Sequence, residues 1–499
     1  MYINNKVLIG KNDEKELSIL LDKANRHGII TGASGSGKTI TTKVMAESFS
    51  DAGVPVFMAD VKGDLAGTVL PGEQSESVQK RIDNLKIENF EFKGYPVRFW
   101  DILQVNGHPI RTSIDSVGPE ILSMMLGLTE VQEGHLQIVF KIAEDNNWKL
   151  DDIKDLRLLL QFVGDNRGEF TTSYGNITPQ SIGVIQRSLL ALEKQGADKF
   201  FGQPELSIND LIGVDNNGKG IINILHAVEL FQSPDLYASF LLWLLNELFT
   251  KMPEVGDLDK PKMVFFFDEA HLLFNALPAY RLKRIVQVVK LIRSRGIGLY
   301  FVSQSPTDVP DEIIAQLGNR VQHTLRAYTP AEQKTVKAAA DSFRTNPKFD
   351  TAEAILALGT GEALISFQNE KGEPEIVEKA TILPPQSKMG TIDDLTRTKT
   401  INSSILLGKY DEAVERDSAY EELDKLIKEK IEAEQQVKEA KEAEKKAKED
   451  AKAAEKKKKE EERAKKNSIE YKLTKKVTNK AADKLINKGL NTIFKSFFK

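Results

Sequence analysis

Eight residues near the start of the chain constrain its fold more than any other feature. Residues 32–39 read Gly-Ala-Ser-Gly-Ser-Gly-Lys-Thr, which fits the pattern G-x-x-x-x-G-K-[ST]. Residues 27–31 form the end of a predicted strand, and residues 39–49 have the apolar spacing of a helix. A strand, a glycine-rich turn and a helix in this order are the setting in which the pattern cradles phosphate. The sequence therefore predicts a nucleoside triphosphate site at a strand-to-helix turn of an α/β fold.

Each residue type in this loop suits phosphate binding. Glycine lets the backbone turn tightly and point its N–H groups at phosphate oxygens, and the following helix adds its positive end. A lysine at this position reaches the β- and γ-phosphates, and the next hydroxyl ligates Mg²⁺. A flexible Gly-Ser turn is the alternative reading, which the flanking strand and helix disfavour. The predicted nucleotide-binding residues are Gly32, Ala33, Ser34, Gly35, Ser36, Gly37, Lys38 and Thr39. Thr39 is also a predicted metal ligand.

Two carboxylates follow an apolar run later in the chain. Residues 264–267 are Val-Phe-Phe-Phe, and Asp268 and Glu269 come next. A buried strand that ends in two carboxylates suits a Mg²⁺-dependent hydrolase. Asp268 is predicted to hold the metal, usually through water, and Glu269 to act as the general base. Ras-like GTPases position the attacking water with Gln instead, so the doublet favours ATP.

Two further strand ends carry polar side chains. Gln304 follows the apolar strand of residues 300–303, where it either senses the γ-phosphate or caps the strand; we favour the sensor role. Asp60 and Asp64 follow the strand of residues 54–60 and are expected at the carboxyl edge of the sheet, where ligands bind in open α/β folds. These two carboxylates either support Mg²⁺ or water, or simply end the strand, and the sequence leaves both readings open.

Phosphoryl transfer usually needs one more cation to stabilise charge on the γ-phosphate. Four arginines lie near predicted element ends in the second half of the chain: Arg293, Arg295, Arg320 and Arg326. Arg320 is our first candidate for an arginine finger that acts across a subunit boundary. For each arginine taken singly, a surface salt bridge is the alternative role.

Alternating strand and helix patterns predict a mostly parallel sheet with helices on both faces. Residues 102–215 instead show successive helical patterns, which predict an insertion into the core. The predicted boundaries are 1–101 for the N-terminal strands and first part of the core, 102–215 for the helical insertion, 216–390 for the second part of the core, 391–467 for a linker and charged helix, and 468–499 for a basic amphipathic tail. Pro384 and Pro385 are expected to end the globular part.

The C-terminal arm changes composition twice. Residues 411–467 hold 17 Lys and Arg against 19 Asp and Glu, with neither Gly nor Pro, which predicts a helix supported by pairs of opposite charge four residues apart. A solvated spacer and a coiled coil both remain open, because a sustained apolar seam is missing. Residues 468–499 hold eight Lys against one Glu and one Asp. An anionic membrane, nucleic acid, a partner's groove and the protein's own surface are all physically reasonable targets for this tail.

Bulk composition excludes several classes of protein. The chain has no cysteine, which rules out structural disulfides and thiolate metal sites. A formal net charge of −4 gives no overall attraction to nucleic acid, so such binding would need local basic patches. The first residues lack the pattern of a signal peptide, and the apolar stretch 236–249 is too short to cross a bilayer and contains Glu247. We expect a cytoplasmic protein.

Taken together, these motifs resemble the HerA/FtsK superfamily of P-loop ATPases, and most of all the bacterial family described by a HerA-helicase-like C-terminal domain. The resemblance rests on residues 32–39, 60–65, 267–271 and 302–304, with further similar stretches at 316–323, 361–364 and 383–385, and it covers about residues 5–390. Archaeal HerA proteins carry a β-barrel before the ATPase core, whereas 31 residues precede the loop here. Any specificity element is therefore expected in the insertion or the C-terminal arm.

The resemblance implies a RecA-like ATPase core, ATP and Mg²⁺ as cofactors, assembly into a hexameric ring, and a motor that moves double-stranded DNA through the ring. It carries over nucleotide-site roles to Lys38, Thr39, Asp268, Glu269 and Gln304, and a finger role to Arg320. We therefore expect Mg²⁺-dependent ATP hydrolysis that drives DNA translocation or remodelling, with a nuclease or another protein as a further partner.

Two other functions stay open at this stage. One is an ATPase switch or assembly protein that acts on a protein or membrane partner through its C-terminal arm, with membrane contact through residues 468–499. The other is a nucleotide-binding scaffold without catalysis, which the intact pair of Asp268 and Glu269 disfavours.

Overall fold

The structure is a computed structural model that describes residues 1–275 and 279–465. Its strands, in chain order, are β1 (Tyr2–Ile3), β2 (Lys6–Lys11), β3 (Glu16–Leu20), β4 (Gly28–Thr31), β5 (Val56–Asp60), β6 (Val97–Asp101), β7 (His108–Pro109), β8 (Ile222–His226), β9 (Met263–Phe267), β10 (Ile297–Ser303), β11 (Asn319–Gln322), β12 (Glu362–Ser366) and β13 (Glu378–Ile382).

The α-helices are α1 (Lys38–Asp51), α2 (Glu76–Asn84), α3 (Ile114–Met125), α4 (Glu130–Asp145), α5 (Ile153–Asp165), α6 (Arg167–Tyr174), α7 (Pro179–Leu192), α8 (Asp198–Phe200), α9 (Pro234–Lys251), α10 (His271–Asn275), α11 (Ala279–Ile292), α12 (Asp311–Ile314), α13 (Pro330–Asp341), α14 (Thr351–Ala357), α15 (Asp394–Asn402) and α16 (Ala419–Lys465). Short 3₁₀ turns at Leu21–Arg26, Ala66–Val69, Ile208–Asp210, Leu230–Gln232, Arg293–Arg295 and Pro306–Asp308 connect several of them.

The strands form one mixed sheet of 13 strands in the order β1-β2-β13-β12-β11-β4-β10-β9-β5-β8-β6-β7, with β3 added beside β2. From β11 to β7 every neighbouring pair is parallel, whereas β12, β13 and the N-terminal strands pair antiparallel. The sheet confirms the predicted α/β class with a mostly parallel sheet. The N-terminal strands β1, β2 and β3 extend one edge of this sheet.

Apolar residues on both faces explain why the central strands are parallel and buried. Every residue of β5, β9 and β10 is buried, which a sheet covered by helices on both sides requires. On one face α1 packs on the sheet, with the rings of Phe49 and Tyr300 5.9 Å apart. On the other face Phe267 stacks on Phe301 with ring centroids 5.2 Å apart.

The chain divides into two compact units, and the first comprises residues 1–137, 151–153 and 177–416. This unit contains the whole sheet. It continues past Pro384 and Pro385, unlike our expectation, because Gln386 and Ser387 are 4% and 1% exposed and Tyr410 is fully buried. The domain boundaries proposed from composition remain a prediction.

Among the described residues, the second unit comprises 138–150, 154–176 and 417–465. In its small core, Phe162 makes edge-to-face contacts with Trp148 and Phe170, at centroid distances of 5.8 and 6.2 Å. The 47-residue helix α16 begins here, where the buried carboxylate of Asp155 accepts hydrogen bonds from the Ser418 hydroxyl and the Tyr420 amide. Helix α16 coincides with the predicted charged helix.

Two further expectations concern membranes. Within the described parts of the chain, no helix combines the length and the apolar character that a membrane span requires. The predicted amphipathic tail, residues 468–499, lies outside the described residues.

A buried histidine at the start of β4 makes the fold sensitive to acid. The Nε2 atom of His27 lies 2.9 Å from the Val289 carbonyl, and Nδ1 accepts the Leu299 amide at 3.0 Å. Because the carbonyl can only accept, Nε2 carries the proton and the ring is neutral. Burial lowers the pKa of His27 to about 4.

Between pH 6.5 and 4 the unfolded chain therefore binds a proton at His27 that the folded chain does not. We expect stability to fall as pH drops through this window, by up to about 3 kcal/mol from this residue. Urea denaturation of the wild type and His27→Gln at pH 7 and pH 5 measures the effect, and the variant should lose less stability on acidification. An equal loss in both proteins would contradict the assignment.

Candidate active site

The predicted phosphate loop lies between β4 and α1, at the carboxyl edge of the sheet. Gly37 caps α1 in a left-handed conformation with φ of 117°, and a Cβ atom built there would lie 3.3 Å from the backbone of Gly361. A Cβ atom on Gly32 would lie 2.5 Å from the Cβ of His323. Glycine is therefore required at both positions, by conformation at the first and by space at the second.

Lys38 is turned into this loop. Its Nζ atom donates hydrogen bonds to the carbonyls of Gly32 at 2.5 Å and Ala33 at 3.2 Å, and burial lowers the pKa of its ammonium group. The Ser36 hydroxyl is buried without a hydrogen-bond partner among the described residues. A half-buried cation that holds only backbone carbonyls, beside an unsatisfied hydroxyl, fits a phosphate group as the missing partner.

The predicted acid pair stands at the end of β9. The Asp268 carboxylate accepts the backbone amide of Glu269 at 3.0 Å. Burial, reinforced by the neighbouring Glu269, raises the pKa of Asp268 to about 7. Glu269 is 7% exposed and has a φ of 49°, which is uncommon for a residue with a side chain. Its Oε2 atom lacks a hydrogen-bond partner within the described part of the chain.

These carboxylates fit a site that shares a divalent cation with phosphate. The described residues contain no group of three or more His, Cys, Asp or Glu side chains that could hold a metal ion by itself. Mg²⁺ is usually bound by one or two protein oxygens together with water and substrate phosphates. The Thr39 hydroxyl and the Asp268 carboxylate line the same cavity and are oxygen donors of this kind.

Strand order brings Gln304 between these two groups. Strand β10 pairs with β4 on one side, where Ser303 lies opposite Thr31, and with β9 on the other, where Phe301 lies opposite Phe267. Gln304 is the next residue after β10 and is exposed. It thus lies at the edge between the phosphate loop and the acid pair, and its role as a sensor remains a prediction.

Arg320 lies within β11, and its side chain is held by contacts of its own. Its guanidinium donates to the carbonyls of Leu317 at 3.1 Å, Ile314 at 3.2 Å and Ser342 at 2.5 Å, all within its own chain. These contacts favour a structural role over the predicted arginine finger. The guanidinium of Arg293 lies 3.3 Å from the Asp257 carboxylate, which matches the alternative role of a surface salt bridge. The identity of a finger remains a prediction.

Sequence reasoning missed two features of the site. Lys62, within the motif of residues 60–65, points its ammonium group at Glu269, with Nζ 3.8 Å from Oε1. A strap formed by residues 386–390 crosses α1, where the buried Glu47 carboxylate accepts the amides of Gln386 and Ser387 at 2.8 and 3.1 Å. The motif contained the signal for Lys62, but only its carboxylates were considered. The strap has no signal in its local pattern.

A buried histidine ties the loop to the neighbouring strands. The Nδ1 atom of His323 lies 2.9 Å from the Glu362 carbonyl and must donate to it, so Nε2 accepts the Thr41 hydroxyl at 2.8 Å. Burial lowers the pKa of His323 to about 4, which keeps the ring neutral. This contact holds the first turn of α1 in place behind the phosphate loop.

Part of the phosphate loop, together with Lys62 and Asp268, lines one cavity of about 400 Å³. Lys38, Thr39, Lys62 and Asp268 line its polar side. Thr360, Met389 and Gly390 line another wall. The cavity therefore has the charged groups that phosphate chemistry needs at one place and a separate wall contributed by the strap.

Comparison with known proteins agrees with this geometry. Residues 5–498 match the family described as Helicase HerA-like C-terminal. The DNA double-strand break repair helicase HerA of Saccharolobus solfataricus is 25% identical over 366 residues, which cover 72% of this chain and 64% of that protein. The protein of the same description from Pyrococcus furiosus is 23% identical over 432 residues, covering 77% and 72%.

Among solved structures, VirB4 of Thermoanaerobacter pseudethanolicus is 15% identical, with a TM-score of 0.46, and the match covers 77% of this chain and 97% of that one. The family match spans nearly the whole chain. This protein therefore belongs to the Helicase HerA-like C-terminal family, within the HerA/FtsK-type P-loop ATPases.

Proposed function

We propose that this protein hydrolyses ATP with Mg²⁺ and uses the energy to move along or remodel double-stranded DNA as a ring of identical subunits. One observation supports hydrolysis above all others. Lys38, Thr39 and Asp268 line one cavity, and Glu269 directly follows Asp268 at the end of β9. Binding and activating groups thus meet at one edge of the sheet.

Each residue has a definite task in this reaction. Lys38 leaves the Gly32 and Ala33 carbonyls and binds the β- and γ-phosphates. Thr39 and Asp268 would hold Mg²⁺, which supplies charge neutralisation of the phosphates when bound. Glu269 takes a proton from the attacking water through Oε2, which accepts no hydrogen bond among the described residues and lies 3.4 Å from the Nδ1 atom of His271. Gln304 reports on the γ-phosphate from the adjacent strand end.

The proposal for DNA rests on relatedness. The two curated relatives described above are named as helicases of DNA double-strand break repair. The match to the first covers 64% of that protein, so its substrate and assembly are extended here as a proposal. A hexameric ring, a nuclease partner and a cytoplasmic location belong to the same proposal.

The long helix α16 favours a second candidate. Its 47 residues are held at one end by Asp155, and most of its later residues are exposed. In this alternative, ATP binding and hydrolysis switch or assemble a protein or membrane complex through the C-terminal arm. The helix would then be a spacer that presents residues 468–499 to the partner.

The first prediction separates binding from hydrolysis. Lys38→Ala should weaken ATP binding and abolish turnover, because it removes the cation that holds the phosphates. Glu269→Gln should bind ATP like the wild type but turn over about 100-fold or more slowly, because the amide cannot accept the proton of water. Steady-state ATPase assays and titration with a fluorescent ATP analogue measure both effects.

Glu76→Gln is the control, since Glu76 is exposed on α2 and pairs only with Lys80 at 2.7 Å in the described part of the chain. Equal turnover in Glu269→Gln and the wild type would mean that Glu269 is not the general base.

The second prediction tests DNA as the substrate. ATP turnover of the full chain should rise several-fold with duplex DNA, because a motor couples hydrolysis to movement along its track. The assay compares duplex DNA, single-stranded DNA and no DNA, with the mass in solution determined on the same sample. Turnover that ignores every form of DNA would remove the translocase proposal while leaving ATP hydrolysis intact.

The third prediction tests the second candidate. Deletion of residues 468–499 should abolish binding to vesicles that contain anionic lipid, because eight lysines are removed with two acidic residues. ATPase activity without DNA should stay within about twofold of the wild type, since none of the site residues is lost. Vesicle binding that survives the deletion would count against a membrane role for the tail.

A further inference from the structure

The turn after β5 is built to hold Lys62 in a fixed place. Asp60, the last residue of β5, is 1% exposed, and its Oδ2 atom accepts the amides of Leu65 and Ala66, each at 3.2 Å. Gly63 has a φ of 77°, which bends the chain back between them. The two hydrogen bonds of Asp60 and the conformation of Gly63 thus fix the backbone of the turn that carries Lys62.

The Lys62 side chain enters the active-site cavity but is not held there by a hydrogen bond. Its Nζ atom lies 3.8 Å from Glu269 Oε1, which is an ion pair too long for a hydrogen bond. The Lys62 side chain is 55% exposed, whereas that of Glu269 is 9% exposed. No hydrogen-bond partner of this ammonium group is found among the residues that the structure describes. Lys62 is therefore free to take a better acceptor.

The charged groups around the cavity favour a phosphate oxygen as the acceptor for Lys62. Lys62 faces Lys38, Thr39 and Asp268 across the same cavity, and its charge influences the pKa of both Lys38 and Asp268. ATP brings a triphosphate with several negative charges to this place. Its γ-phosphate oxygens accept a charge-assisted hydrogen bond that the Glu269 carboxylate, at 3.8 Å, does not receive. The Arg320 guanidinium, by contrast, already donates to three carbonyls.

We propose that Lys62 is a second catalytic lysine, which leaves Glu269 when ATP binds and contacts the γ-phosphate within the same subunit. The inference rests on the proposed ATP hydrolysis. Water oxygen forms a bond to the γ-phosphorus while the bond from that phosphorus to the bridging oxygen breaks, and ADP leaves with the electron pair. The water proton goes to Glu269, whose carboxylate has been released from the ion pair. Lys62 keeps its proton and stabilises the charge on the γ-phosphate oxygens.

The test uses the full chain with the substitutions Lys62→Met and Lys62→Arg. We expect Lys62→Met to lower kcat by roughly 10- to 100-fold, the effect of losing one charge-assisted hydrogen bond in the transition state. Lys62→Arg keeps a cation and should recover part of this loss. The matched control is Lys371→Met, because Lys371 is an exposed lysine in the turn between β12 and β13, away from the phosphate loop.

Nucleotide affinity distinguishes contact with the γ-phosphate from a structural role. Lys62→Met should weaken a non-hydrolysable ATP analogue by about tenfold and leave ADP within about twofold, since only the analogue has a γ-phosphate. Equal weakening of both nucleotides, or an unchanged kcat, would overturn the proposal. A higher kcat in Lys62→Met would also overturn the proposal, because the only effect of Lys62 would then be to hinder Glu269 through their ion pair. Absence of ATPase activity in the wild type would instead refute the proposed function.

Discussion

The parallel pairing of β10 between β4 and β9 is the interaction on which the rest of the active site depends. Backbone hydrogen bonds along these strands set Ser303 opposite Thr31 and Phe301 opposite Phe267. The residues that follow each strand must then emerge at the same edge. The phosphate loop ends 229 residues before Asp268, and Gln304 follows later in the chain. The pairing of the strands brings these groups to one edge without requiring contacts between their side chains. Buried aromatic side chains on both faces hold this pairing, so the core and the site have one physical cause.

The local parts of this arrangement were predictable, and the long-range parts were not. The loop, the acid pair and their strands are each contained in a short run of sequence, where residue type and spacing carry the information. The neighbours of a strand are set by packing across the whole sheet, so the position of the strap beside the cavity has no local signature. Arg320 shows the same limit, because a position near a strand end suits a finger, whereas its carbonyl partners come from two segments, residues 314–317 and Ser342.

Cationic and anionic side chains lie close together in this site. Burial raises the pKa of Asp268, and the charge of the adjacent Glu269 adds to this effect. The charge of Lys62 acts on this pKa in the opposite direction, and burial lowers the pKa of Lys38. When a metal-bound triphosphate enters, its charges pair with the lysines and carboxylates that are already present in the site. An active site of this kind is electrostatically strained before its substrate arrives.

The strap gives the C-terminal region an unexpected place in the nucleotide site. Glu47 on α1 holds residues 386 and 387 through buried hydrogen bonds, and Met389 and Gly390 then form part of the cavity wall. The compact unit continues to residue 416. A proteolytic cut at the two prolines would therefore remove one wall of the cavity and leave a buried carboxylate without its donors. The smallest fragment that keeps the site intact extends past the strap, although every recognisable motif ends before it.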